Sequence, residues 1–335
     1  MILRARRSKR DVMTTLITGG AGFIGSRLAA RLLHSGEHVV IIDNFNDYYD
    51  PAIKRANIRA LYEVSRVSSG RGLELIEGDI RDQGTVRDAF ELYGVTRVAH
   101  LAAMAGVRSS AEQGRLYADV NTSATVTLLD EARRHNVSVF ALGSTSSVYG
   151  ETQRIPFVEN DTADRPLAPY PASKRSAELF GHSYFHLYGL NVTALRFFNV
   201  YGPHGRPDMM PMRTIEAILS GETMTLFDGG TLQRDWTYVD DIVDGVAAAL
   251  ERPMGYEVIN LGFGAPIALN EFIHIYERLI GKQAVTRTVP APLTEPPITY
   301  CDNSRARELL SFAPQVDIEE GLTRTWQWYK AAHHL

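Results

Sequence analysis

Residues 14–25 read Thr-Thr-Leu-Ile-Thr-Gly-Gly-Ala-Gly-Phe-Ile-Gly, and this stretch decides the fold. Thr14–Thr18 has the texture of a short buried strand, and Gly22–Ser35 continues as a helix with Ile24, Leu28 and Leu32 on one face. Between them Gly19, Gly22 and Gly25 stand at G-x-x-G-x-x-G spacing, with Phe23 and Ile24 completing the turn. Small residues here let the backbone approach a pyrophosphate, whose charge sits on the helix N-terminus. Glycines alone also make ordinary turns. The strand before and the helix after give this run its meaning.

Working outward, His38–Ile42 is a second buried strand ended by Asp43-Asn44, eighteen residues past Gly25. A carboxylate at that place accepts hydrogen bonds from the ribose hydroxyls of a dinucleotide and repels a 2′-phosphate, which favours NAD over NADP. Further strands are read at Leu73–Glu77, Arg97–Leu101, Val137–Leu142 and Asn191–Arg196. Helices are read at Gln83–Leu92 and from about Tyr117 to Arg134. Strands alternating with helices imply parallel pairing with right-handed crossovers, hence an α/β fold with a Rossmann-type doubly wound parallel sheet. Asp79 and Ile80, after the third strand, then fall beside the adenine, and Leu101, Ala102 and Ala103, after the fourth, let the chain pass close to the cofactor.

Beyond Asn199 the texture changes. Gly202-Pro203, Gly205-Arg206-Pro207, Met210-Pro211, Gly229-Gly230 and the prolines at 290, 292, 296 and 297 break the alternation. The expected organisation is a disordered basic tail over 1–13 and an NAD-binding domain over 14–198 with a return segment near 232–262. A smaller α/β substrate-binding lobe takes 199–231 and 263–335. Tyr256–Leu261 is expected to return to the main sheet, and Trp326, Trp328 and Tyr329 to seal the lobe.

Composition narrows the function classes. The 335 residues carry 35 Lys and Arg against 39 Asp and Glu, a net charge of −4, which argues against a general nucleic-acid binder. The basic stretch at Arg4–Arg10 precedes no apolar core of a signal peptide, and no apolar run approaches the roughly 18 residues of a membrane span. A single cysteine, Cys301, cannot form an internal disulfide, so a reducing cytoplasm is expected. Among ten histidines none has metal-ligand spacing with a third ligand nearby, and His182 and His186 read as packing or surface residues.

The next chemical signal is Tyr170-Pro-Ala-Ser-Lys174, where Tyr and Lys four residues apart share a helix face. A phenol with pKa near ~10 is a poor base at neutral pH, and an adjacent ammonium favours its ionised form. Such pairs are common on solvated helices. This one follows a dinucleotide-binding half and the hydroxyl-rich run Gly143-Ser-Thr-Ser-Ser-Val-Tyr-Gly150 at the end of the fifth strand, where ligands of open parallel sheets sit.

Taken together, TGGAGFIG, HLAAMAGVRSS, STSSVYG, YPASK and RFFNVYGPHGRPDM resemble the extended short-chain dehydrogenase/reductase family of nucleotide-sugar enzymes over about Thr14 to Tyr329. Within it, AGVR with VYGPHGRPDM is most similar to UDP-glucuronate 4-epimerases. The resemblance implies Tyr170 as general base, Lys174 as its partner and nicotinamide-ribose ligand, and Thr145 as the hydroxyl that bonds the sugar O4. It implies Asn121 as support for the active-site helix and Phe197 to Val200 as the segment passing the nicotinamide. It implies substrate contacts from Val107, Arg108, Asn199, Thr225 and Phe227, from Arg234 to the diphosphate, and from Glu295 near the nucleotide ribose, where relatives carry Asp.

Ser146 and Ser147 discriminate within the family. Its 4,6-dehydratases and decarboxylases carry acids after the Thr, and serine cannot protonate a leaving hydroxyl in that way. Serines can hydrogen-bond a carboxylate, and the Arg206 guanidinium suits a planar one. Asn199, where the pattern often has Thr, points to the alternative of a UDP-glucose or UDP-N-acetylhexosamine 4-epimerase. A lyase or a non-catalytic NAD-binding protein are further alternatives; the serines speak against the first and Tyr170 with Lys174 against the second. Relatives usually pair two long helices into a homodimer, here the helix beginning at Tyr170 and the one ending at Arg134.

Overall fold

The computed structural model describes residues 13–68, 72–292 and 295–335, so the basic tail expected over 1–13 lies, but for Met13, outside the described residues. The chain opens with β1 (Thr14–Thr18), α1 (Phe23–His34), β2 (His38–Asp43), α2 (Pro51–Val67), β3 (Leu73–Glu77), α3 (Gln83–Tyr93) and β4 (Arg97–His100). Two short helices, α4 (Val107–Ser110) and α5 (Gly114–Ala118), lead through a π-helical turn at Asp119–Ser123 into α6 (Ala124–Arg134). Then come β5 (Val139–Thr145), α7 (Pro169–Tyr188) and β6 (Val192–Phe197).

The rest comprises β7 (Asn199–Tyr201), α8 (Met210–Ser220), β8 (Thr223–Phe227), β9 (Gln233–Tyr238), α9 (Val239–Leu250) and β10 (Tyr256–Leu261). It ends with β11 (Pro266–Ala268), α10 (Leu269–Ile280), β12 (Val285–Val289), β13 (Ile298–Thr299), α11 (Ser304–Leu310) and α12 (Ile318–His333).

Seven parallel strands form the main sheet in the order β10-β6-β5-β4-β1-β2-β3. β1 and β2 are buried along their whole length, as parallel strands covered on both faces must be, and their sequences are correspondingly apolar at the centre. One face packs Leu28 and Leu32 of α1 with Val243 and Val246 of α9. The other packs Val86 and Phe90 of α3, Leu128 of α6 and Ala177 of α7. A separate apolar cluster of Trp236, Phe272, Tyr276, Leu322, Trp326 and Tyr329 builds the second lobe, with Trp328 packed against it. There β9 pairs with β7, β11 and β13, while β8 pairs with β12. No helix among the described residues is long and apolar enough to cross a membrane.

Four features differ from the sequence expectation. The 17-residue helix α2 has no counterpart in it, because Lys54 and Asn57 hold two of its four buried positions and mask the apolar period. The helix read from about Tyr117 begins at Gly114 and contains a π turn that sets Asn121 fully inside. The fifth strand runs on to Thr145 instead of ending at Leu142, so the sheet itself delivers the hydroxyl cluster. Within 232–262, β10 joins the main sheet beside β6 and α9 covers it, whereas β9 belongs to the smaller sheet.

Candidate functional site

The chain runs outward from β1 through β2 to β3, then restarts on the other side at β4. This reversal opens a crevice at the C-terminal ends of β1 and β4, where open α/β sheets bind ligands. A cleft of about 750 Å³ lies there, within the ordinary range of ligand sites.

At one end the glycine turn meets the β4 loop. Gly19 has φ of +71°, and a Cβ on it would stand 2.8 Å from the Ala102 backbone nitrogen. A Cβ on Gly25 would come within 2.2 Å of the Gly19 carbonyl oxygen. Only glycine allows helix α1 to start this close to the strand. Asp43 ends β2 against the same turn, its Oδ2 accepting from the Ala21 N–H at 3.1 Å and its Oδ1 from the Phe45 N–H at 2.9 Å.

Asn44 donates to Asp79 at 3.0 Å, and Arg81 grips the same carboxylate through Nε and Nη2, holding its pKa down at about 2. Phe23, Ile24, Gly22, Ile80, Leu101, Ala102 and Ala103 line this end with them. The residues present therefore fit a dinucleotide: an uncapped helix N-terminus at Gly22, a glycine surface no side chain could share, and a carboxylate at the ribose position.

The other end carries the reactive groups. Tyr170 stands in the first turn of α7 behind Pro169, and Lys174 follows one turn later, 3% exposed. Burial pulls the Lys174 ammonium from its ordinary 10.5 to about 8, against the opposing charge of Glu178. Burial pushes the Tyr170 phenol up, while a hydrogen bond with Thr145 and the Arg206 charge act downward. Thr145 accepts from the Ser147 N–H at 3.2 Å and donates to Ser147 Oγ at 3.3 Å, and Ser146 and Ser147 face the same cleft. Phe197, Asn199, Val200 and Arg206 form its wall beyond the sheet.

Asn121 is buried between the loop after β4 and α7. Its amide accepts from the Met104 N–H at 2.9 Å and donates to the Met104 carbonyl at 2.9 Å and to Ser173 at 3.0 Å, tying α7 to the β4 loop. Below the sheet end, His100 is buried between Thr18 at 2.7 Å and Thr125 at 2.8 Å; burial, with the Lys174 charge, lowers its pKa to about 3 and keeps it neutral.

Val107 lines the cleft, and its neighbour Arg108 begins a second cluster just outside it. Glu295 bridges Arg108 and Arg234, 3.0 Å from each, and the Arg108 guanidinium lies 5.5 Å from the Phe227 ring centre. Thr225 accepts from Arg287 at 3.1 Å. The structure thus gathers Arg108, Phe227, Arg234 and Glu295 into one place, with Thr225 on the strand of Phe227.

Sequence reasoning missed Tyr48, Tyr49 and Lys54, which also line the cleft. Lys54 donates to Asn46 at 2.6 Å and 2.9 Å and sits 4.7 Å from the Tyr49 ring centre. Two adjacent tyrosines five and six residues after Asp43 were the available signal.

The chain is similar to known proteins in sequence and fold. Residues 15–262 match the NAD dependent epimerase/dehydratase family. The chain is 42% identical to a UDP-glucuronate 4-epimerase of Thermodesulfobacterium geofontis over 94% of this chain and 95% of that protein. It is similar to the UDP-glucuronic acid 4-epimerase of Bacillus cereus solved with UDP-glucuronic acid and NAD, with TM-score 0.86 and 35% identity over 96% of this chain and 100% of that one. A UDP-glucose 4-epimerase of Thermotoga maritima solved with UDP-glucose also superposes, with TM-score 0.86 and 29% identity over 96% and 100%.

Proposed function

We propose, for a chain that belongs to the NAD dependent epimerase/dehydratase family, that its reaction is the reversible inversion at C4 of UDP-glucuronate to UDP-galacturonate. The observation that carries this reading is one shared cleft in which Arg206 and the Thr145-Ser146-Ser147 hydroxyls face the same space as Tyr170.

NAD, bound along the glycine turn with its ribose at Asp43 and Asn44, supplies the place where the C4 hydride is held and returned. Tyr170 takes the O4 proton as that hydride leaves, and gives it back on return. Thr145 orients O4. Lys174, at about 8, stays mainly protonated at pH 7 and so stabilises the phenolate.

A 4-keto uronate is a β-keto acid and can lose CO₂ when its C5–carboxylate bond aligns with the carbonyl π system. Asp208 takes Nε and one Nη2 proton of Arg206, at 2.9 Å and 2.7 Å. The Nη1/Nη2 edge remains suited to a second, substrate carboxylate. With the serines it holds the carboxylate out of alignment. Two serines where an acid would stand leave nothing to protonate a leaving hydroxyl, which supports epimerisation over elimination.

Arg108, Arg234 and Glu295, with Phe227 and Thr225, form the nucleotide end of the substrate site in this reading. The NAD-binding domain takes 14–198 with α9 and β10 returning to it, and the lobe that contains β7 and β9 covers the substrate. Leu179, Phe180, Leu187 and Tyr188 are exposed on α7, a surface suited to pairing with a second copy. The buried, unbridged Cys301 suits a reducing cytoplasm.

Asn199 in the cleft wall supports a second reading, a UDP-glucose 4-epimerase. NMR of the products from UDP-glucuronate and, separately, UDP-glucose, with no NAD added, tests the two. UDP-galacturonate from the first alone is expected. UDP-galactose as the main product moves the function to the second reading, and a pentose product overturns the role given to Ser146 and Ser147.

A further inference from the structure

The β2–α2 loop carries a side chain to the sugar end of the cleft that the reading above leaves without a task. Tyr48 stands five residues after Asp43, so the loop begins at the ribose-binding carboxylate and ends among the reacting groups. Its ring centre lies 5.2 Å from the Arg206 guanidinium carbon. Its hydroxyl abuts the β4 loop, where a Cβ built on Gly106 would stand 2.6 Å from Tyr48 Oη. Tyr48, Arg206 and Tyr170 line one cleft.

Arg206 needs such a partner. Its loop, Gly202-Pro-His-Gly-Arg-Pro-Asp208, carries its ion pair within itself: Asp208 is two residues away. That pair fixes the guanidinium relative to its own loop and leaves its orientation toward the cleft unspecified. The Tyr48 ring comes from a different element, anchored at Asp43 on one side and at the Asp50 cap of α2 on the other, where Asp50 accepts from the Ala52 N–H at 2.8 Å. A face-on aromatic ring attracts a guanidinium without consuming its N–H donors, so the Nη1/Nη2 edge stays available to a carboxylate.

Resting on the functional reading above, we propose that Tyr48 is a positioning residue that aims Arg206 at the substrate carboxylate and thereby sets the preference for a uronate over the corresponding hexose. The residue acts through Arg206, and its ring, not its hydroxyl, does so.

Steady-state kinetics of the full chain on UDP-glucuronate and UDP-glucose test this with Tyr48→Leu, Tyr48→Phe and Arg206→Ala. Tyr48→Leu raises KM for UDP-glucuronate about three- to thirtyfold, the span of a ring–guanidinium contact, with a smaller change in kcat and no matching rise for UDP-glucose. Tyr48→Phe restores the wild-type KM. In the Arg206→Ala background, Tyr48→Leu adds nothing to the change in preference. An equal KM rise for both substrates, a Tyr48→Phe variant as impaired as Tyr48→Leu, or additive effects of the two changes overturns the assignment. A wild type that turns over UDP-glucose and not UDP-glucuronate overturns the functional reading itself, and is distinguishable because it appears before any variant is compared.

Discussion

Replacing Lys174 by Met should make the folded protein more stable while removing its activity, and the size of the gain should depend on pH. Lys174 is 3% exposed, and burial lowers its pKa from 10.5 to about 8. At about 1.4 kcal/mol per pH unit, that fall corresponds to a penalty of about 3 kcal/mol for keeping the ammonium inside. Below pH 8 the lysine is charged both folded and unfolded, and the penalty is fully present. Between about 8 and 10.5 it is neutral when folded and charged when unfolded, so the penalty shrinks as pH rises. Near 10.5 and above it vanishes.

Met fills a similar volume without charge. With an unfolding entropy of about 2.1 cal/mol/K per residue over 335 residues, 3 kcal/mol corresponds to a rise of about 4 °C in midpoint. Urea and thermal unfolding of nucleotide-free wild type and Lys174→Met at pH 7, 8.5 and 10 measure it. A gain at pH 7 that declines toward pH 10 is expected. A variant less stable than wild type at pH 7, or a gain independent of pH, refutes the reasoning.

Three further substitutions test the same geometry. Glu178→Gln removes the carboxylate that Ser144 and both Arg175 and Arg196 surround at 2.6–3.0 Å, leaving Arg196 buried without its counter-charge; urea unfolding should show a loss of about 3–5 kcal/mol. The same change withdraws the charge that favours the Lys174 ammonium, so the alkaline limb of the activity profile should move to lower pH. Arg206→Ala should raise KM for UDP-glucuronate about ten- to 150-fold, the range of a lost charge-assisted pair, and release some pentose product, read by NMR. Leu187→Arg on the exposed face of α7 should convert a dimer to a monomer in light scattering, and a dimer that persists places the contact elsewhere.

Much of this molecule was legible in its sequence because the parallel strands are buried on both faces and read as continuous apolar runs. β1 and β2 fall where those runs predict. The glycine turn and the Tyr170–Lys174 spacing were legible for a similar reason: each is a local pattern of three to eight residues whose geometry follows from its own backbone. Helix α2 was hidden because two polar residues take buried positions on it, Lys54 in the cleft lining and Asn57 donating to the Ala21 carbonyl at 3.0 Å. The π turn that aims Asn121 at Met104 and Ser173 leaves no trace in apolar periodicity. Arg108, Arg234 and Glu295 are 61–187 residues apart, and only the packed lobes make one carboxylate serve two guanidiniums. Tyr48 escaped for the same reason, since its partner Arg206 comes from a different loop after β7.

The most direct test of the account is the fate of the hydrogen on C4. UDP-glucuronate deuterated at C4 is incubated with the enzyme in ordinary water and the product examined by proton NMR. Deuterium retained at C4 of UDP-galacturonate is the predicted result, because the hydrogen that leaves C4 stays within the site while Tyr170 exchanges only the O4 proton. Deuterium replaced by solvent hydrogen would mean inversion by deprotonation at carbon, and would contradict the account.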